Sequence, residues 1–112
     1  MRNLSLAEEY KRIRRDFFPR WDRQQQWKCR SMPDLHGAHG RCQREKKTIY
    51  VQQGMTGIRL RVVLIHEIAH AVLGPHQGHG RRFGGRILKA AEKAERLGDS
   101  ELGAALRQEA RA

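Results

Sequence analysis

The sequence predicts one α+β domain over residues 1–112, and three observations predict it. Apolar residues recur at steps of three and four near the N-terminus and again over 56–73 and 81–97, the period of helices with one buried face. Between the first of these stretches and the second, residues 24–53 break into short runs separated by turn residues, which is how strands read. At 112 residues and 38% hydrophobic side chains, the chain has material for one modest core.

Taken in order, the first helix is read from Leu4, Ala7, Tyr10, Ile13 and Phe17 or Phe18, with Asn3 or Ser5 as cap and Pro19 as stop. Its other face, Lys11, Arg12, Arg14 and Arg15, reads as solvated, and the same cations suit contact with phosphates. Strands are expected at Gln26–Arg30, Gly40–Gln43 and Thr48–Gln52, forming a small three-stranded antiparallel sheet. The charged Arg44–Lys47 connection has no Gly, so a loop longer than two residues is expected there. Thr56 is read as capping a helix through Leu73, with Ile58, Val62, Ile65, Ala69 and Val72 as its core stripe and Gly74-Pro75 as its end. The next helix, Arg81–Leu97, carries Phe83, Ile87, Ala90, Ala91, Ala94 and Leu97 and stops at Gly98. Ser100 then caps a short last helix through about Gln108, with Leu102, Ala105 and Leu106 inward.

A formal net charge of +11, from 23 Lys+Arg against 12 Asp+Glu, gives the surface a positive potential suited to a polyanion such as DNA, although no base-reading motif is present. Trp21 and Trp27 read as packing residues, with stacking on single-stranded nucleic acid as the alternative. Arg2, Glu8 and Glu9 interrupt the N-terminal stretch where a secretory leader would be apolar. The longest aliphatic run, Val62–Ile65, falls far short of the roughly 20 residues a bilayer demands. With only Cys29 and Cys42 as thiols, the expected compartment is a reducing cytoplasm.

The chemistry concentrates in His66-Glu67-Ile68-Ala69-His70, an H-E-x-x-H pattern inside the second predicted helix. Residues four apart on a helix share a face, so two imidazoles can converge on one ion. The assumed core stripe turns these histidines away from the interior and toward the sheet. Glu67, one position on, sits beside the ion, where a carboxylate can act as base on a water. Zinc lowers the pKa of a coordinated water to about 7, and the base takes its proton during attack on a peptide carbonyl. A third ligand is then required. His79 leads, because it opens His79-Gly80-x-x-Phe83. His76 is the alternative, six residues after His70 as in metzincins, or else a group that supports the site or stabilises an oxyanion. The metzincin pattern is not completed: Leu73 stands where its Gly belongs, and no Met follows Met55.

These residues, with Gly78-His79-Gly80-x-x-Phe83 and the upstream Gly40-Arg41-Cys42 and Ile49-Tyr50-Val51, resemble the SprT-like metallopeptidases over about residues 38–97. The resemblance implies a minimal zincin-like fold, zinc held by His66, His70 and His79, and Glu67 as general base in peptide-bond hydrolysis. Because the family includes a protease of DNA-crosslinked proteins, it also implies DNA-associated proteins as substrates. The chain departs from larger members in its short loop between His70 and His79 and in having no cysteine-rich zinc ribbon after the helices. The short loop keeps His76 open as third ligand, the spacing found in the related YgjP-like hydrolases.

Cys29, His36, His39 and Cys42 form C-x6-H-x2-H-x2-C, a candidate second, structural zinc site, against a reading of Cys42 as strand packing and the histidines as exposed loop residues. The strand Thr48–Gln52 is expected to border the cleft and pair with an extended substrate. Two other function classes fit the sequence. A zinc hydrolase of a non-peptide bond would have a closed pocket with extra polar groups, and a non-catalytic zinc-stabilised nucleic-acid module would have four protein ligands.

Overall fold

The computed structural model describes residues 4–74 and 79–111; Asn3, Pro75, His76 and Gly78, each given a role above, lie outside them. Its elements are α1 (Leu6–Phe17), β1 (Lys28–Met32), β2 (Gly40–Gln43), β3 (Thr48–Gln52), α2 (Gly57–Leu73), α3 (Arg81–Arg96) and α4 (Ser100–Arg111). The α+β class is as expected.

Ser5 starts α1 through a reciprocal cap: its hydroxyl accepts from the Glu8 amide at 3.2 Å, and the Glu8 carboxylate accepts from the Ser5 amide at 2.9 Å. Tyr10, Ile13 and, just past the helix, Phe18 are buried as expected, but Leu4 and Phe17 are only half-buried and Ala7, read as inward, is exposed, because Leu6 and Phe17 pack against the core in its place. Glu9 is buried with them because Arg61 of α2 donates to both its carboxylate oxygens, at 2.9 and 3.2 Å. Arg14 departs from the solvated face predicted for it. Its guanidinium is 3.4 Å from the Asp22 carboxylate and lies over the rings of Tyr10 and Trp21. Asp22 also delays the first strand: its carboxylate accepts from the amides of Gln26 (2.8 Å) and Trp27 (2.9 Å), so those residues stay outside the ladder and β1 begins at Lys28.

The sheet is mixed, not antiparallel, with order β1-β3-β2. β1 runs parallel to β3 and β2 antiparallel to it. The segment after β1 leads from one edge of the sheet to the other before the chain returns to its centre: Leu35 in it is buried, and His36 and Gly37 turn through positive φ. β3 therefore becomes the central strand, with Ile49 and Val51 in the core, and the edges are β1 and β2. This overturns the expectation that Thr48–Gln52 borders the cleft. The Arg44–Lys47 connection is a four-residue loop closed by the Lys47 amide donating to the Arg44 carbonyl at 3.0 Å.

α2 buries Leu60, Leu64, Ile65, Ile68 and Ala69, a face rotated from the one assigned; Val72 is 37% exposed. The helix is apolar almost all round, so its period alone left several stripes equivalent. α3 ends in a Schellman motif, with the Asp99 amide donating to the Ala94 carbonyl (2.9 Å), the Gly98 amide to the Glu95 carbonyl (3.0 Å), and Gly98 at φ 84°. Leu97, just past the last helical residue, is 52% exposed and not a core residue. Asp99, not Ser100, caps α4, its carboxylate accepting from the Leu102 amide at 3.1 Å. α4 continues past Gln108 to Arg111 and packs on α3 where Gly103 lets the helices approach; a Cβ there would lie 2.8 Å from Glu95 Cγ. Among the described residues no helix is long and apolar enough to cross a membrane.

Candidate metal centre

The rotation of α2 decides where its polar residues go. With Leu64, Ile65 and Ile68 on the core, His66 and His70 face α3 and α4, not the sheet as first read, while Glu67 faces β2. Phe83, one turn into α3, is the platform of the cluster. Its ring centroid lies 4.8 Å from that of His66, 4.5 Å from His70 and 4.9 Å from His79, stacked on His70 at 25°. The histidine rings are themselves 4.8 to 4.9 Å apart in every pair, so the four rings wedge one another in place.

Three imidazoles thus converge. His70 Nε2 is 3.3 Å from His66 Nε2 and 3.0 Å from His79 Nε2, and one ligand atom from each ring lies within 4.8 Å of the others. Tetrahedral coordination at Zn–N distances of about 2.0–2.1 Å separates two ligand nitrogens by about 3.3–3.4 Å, so the spacing suits a single small cation. Neutral imidazoles meeting nitrogen to nitrogen have more lone pairs than protons to share, and a cation satisfies that donor set. Their environment favours the neutral, ligating form. Burial, then the neighbouring His66, His79 and Arg44, push His70 down to about 4; burial lowers His66 despite an opposing carboxylate.

That carboxylate is Glu109 of α4. His66 Nδ1 donates to Glu109 Oε1 at 2.5 Å, which fixes the tautomer and leaves Nε2 bare toward the cluster. Glu109 lies just beyond the end expected for the last helix at about Gln108, three residues short of its actual end at Arg111. The available signal was its place three residues after Leu106 and seven after Leu102, a carboxylate on the buried stripe of α4. Arg44 was missed as well. From the β2–β3 loop it donates to the carbonyls of His70 and Ala71, holding the exposed end of α2.

Glu67 stands beside the cluster and outside it, with Oε2 at 3.9 Å from His66 Nε2 and 7% of the residue exposed. Burial, and secondarily the charge of Glu109, push it up to about 7. Gly40 explains how β2 comes so close: a Cβ there would meet Val63 Cγ1 at 2.6 Å and Glu67 Cγ at 2.9 Å. A cavity of about 430 Å³ adjoins Glu67 and His66, and another of about 840 Å³ lies beyond His66 and His79, between the start of α3 and the end of α4.

No family model, characterised protein or solved structure matches the chain. The second candidate site does not assemble. Cys29 and Cys42 both pair in register with Ile49, on opposite sides of it, which separates them by two strand spacings, about 9–10 Å. Burial raises both thiols, Cys29 to about 12 and Cys42 to about 11, so they behave as small packing groups. His36 and His39 are exposed, and among the described residues only His66, His70 and His79 gather closely enough to share an ion. His76 lies outside the described residues.

Proposed function

We propose that this protein is a zinc-dependent endopeptidase with a minimal zincin-like fold, similar to the SprT-like metallopeptidases. The observation that carries the reading is the convergence of His66, His70 and His79 with a buried carboxylate, Glu67, one water's breadth away. Zinc held by the three imidazoles would supply a water of lowered pKa and polarise the carbonyl to be attacked.

The rest falls to the chain's own residues. Glu67 takes a proton from the attacking water and returns it to the departing amine; its affinity for protons near neutrality suits both halves of that task. Glu109 keeps His66 in one tautomer, and Phe83 keeps the three rings from turning. The outer strand β2, not β3, offers its free edge to an extended peptide beside Glu67, so main-chain pairing does the binding. A purely structural zinc would call for a fourth protein ligand; among the described residues three gather, and Glu109 is bound to the far nitrogen of His66. Exposed Lys11, Arg12, Arg15, Arg20 and Arg23, on α1 and the loop after it, suit DNA as the anchor for DNA-associated protein substrates in the cytoplasm.

The test compares wild type with Glu67→Gln for zinc content and casein cleavage, with and without single-stranded DNA. Equal zinc, cleavage reduced at least about 100-fold, and a DNA stimulation of wild type that fades with added salt are expected. Equal cleavage by both proteins would remove Glu67 from the mechanism.

A further inference from the structure

The sheet has a second face that neither the core nor the metal centre uses. Ile49 and Val51 of β3 point inward, so Thr48, Tyr50 and Gln52 point to the other side. Register sets the rest of that face: Tyr50 stands between Arg30 of β1 and Arg41 of β2, and Thr48 between Lys28 and Gln43. Lys28, Arg30 and Arg41 are exposed, with Tyr50 half-buried among them. The polar groups at the two ends are committed: the Thr48 hydroxyl donates to the Lys46 carbonyl at 2.8 Å, and the Gln52 amide to the Pro33 carbonyl at 2.8 Å. What stays open is the row of Arg30, Tyr50 and Arg41 across the three strands.

The charge of this row is unbalanced. No strand residue on this face is acidic, and among the described residues no carboxylate pairs with Lys28, Arg30 or Arg41, whereas Arg14, Arg61 and Arg107 each hold one. Asp34 and Glu45 lie in the loops at either end, and Asp34 accepts from the His36 amide at 2.8 Å. Among the described residues no ring stacks on Tyr50 and no guanidinium lies over it. A merely solvated face needs charge but no large ring. An aromatic on the central strand with a cation on each side complements what one nucleic-acid strand presents, the π face of a base and the phosphates beside it. A duplex keeps its bases stacked and would meet the arginines alone.

We infer that this outer face binds single-stranded DNA, with one base stacked on Tyr50 and the neighbouring phosphates held by Arg30 and Arg41. The inference rests on the DNA-partner reading above and deepens it: the α1 cations attract phosphates whatever the strandedness, and the sheet adds the choice of an unpaired strand. Because Thr48 and Gln52 are engaged, neither is free to reward a ribose 2′-hydroxyl, so a deoxy strand loses nothing here. The face lies across the sheet from α2, so a bound strand leaves the metal centre open.

The test follows fluorescence anisotropy of a labelled oligodeoxyuridine of about 12 nucleotides, and of a duplex of that length, with the full chain at several salt concentrations. Tyr50→Ala should weaken the single strand at least about fivefold and the duplex less than about twofold, and Tyr50→Phe should retain single-strand binding. Arg30→Gln and Arg41→Gln should each lower the slope of log K against log salt by about 0.7 for the single strand. Equal losses for both forms in Tyr50→Ala, or no loss, would overturn the inference. So would a preference of more than about threefold for the ribose form of the same oligonucleotide. Should Tyr50→Ala unfold, wild type still decides: amide NMR shifts on titration with the single strand should centre on Arg30, Arg41 and Tyr50, and shifts confined to α1 would refute the platform. Lys11→Gln with Arg15→Gln separates the two surfaces. Loss of both nucleic-acid forms there with Tyr50→Ala silent keeps the α1 anchor and refutes the platform; the opposite pattern keeps the platform and refutes the anchor. No readout uses cleavage, so the peptidase reading stands or falls separately.

Discussion

Behind His66 stands a carboxylate outside the three-imidazole cluster, which makes Glu109 a position where orientation and the proposed ligation separate. Glu109→Gln keeps the shape but removes the charge that holds Nδ1–H, and zinc affinity should fall about 10–100-fold with the far-UV circular dichroism unchanged, measured by competition with a chromophoric chelator. Glu67 gives a pH signature in the metal-free protein. Its folded pKa, about 7, stands above its ordinary 4.5, so the fold prefers it protonated. The stability that goes with the protonated form is complete below pH 4.5 and disappears as pH rises through 7. Wild type should therefore lose about 3 kcal/mol relative to Glu67→Gln across that window in urea titrations of chelated protein, at 1.36 kcal/mol per pKa unit. His70 acts oppositely: with its folded pKa near 4 against 6.5, it costs stability as pH falls between those values. At this scale the sequence was informative. His66, Glu67, His70 and His79 could be named because ligand chemistry restricts residue type and helical spacing restricts their relative placement. Glu109 leaves only a weak trace, a carboxylate on the buried stripe of α4, and Arg44 none, since each acts through contacts with residues far away in the chain.

Elements, not side chains, set the distance between Glu67 and the edge of the sheet. β2 approaches α2 at a glycine, and Gly40→Ala would drive a methyl into Val63 and Glu67. The expected cost is about 1–3 kcal/mol of stability by denaturant titration, together with loss of casein cleavage because the base is pushed aside. Retained cleavage would show that β2 can retreat without moving Glu67. Most element positions were legible: the capping box at Ser5, the glycine stop at Gly98 and the alternation of Thr48–Gln52 are local signals. The face of α2 was not, because a helix apolar on nearly every side has no unique stripe, and its true orientation is chosen by what packs against it. The start of β1 was not either, since Asp22 captures the Gln26 and Trp27 amides from outside the strand.

For the whole molecule, the class was readable and the topology was not. Alternating apolar residues fit a parallel or an antiparallel neighbour equally, and the order β1-β3-β2, which puts the last strand in the middle, has no local signal in the sequence. That placement moves the free edge to β2 and with it the expected line of the substrate. Around this frame α1, the sheet, and the α3–α4 pair enclose one helix, and all three histidines meet where α2 faces the start of α3. The account stands on that meeting. Zinc K-edge X-ray absorption on protein loaded with one equivalent of zinc reads it directly. Three imidazoles, recognised by the multiple scattering of their rings, with nitrogens at about 2.0–2.1 Å, and one non-imidazole oxygen neighbour are predicted. A sulfur shell at about 2.3 Å, or four imidazoles and no oxygen, would contradict the account.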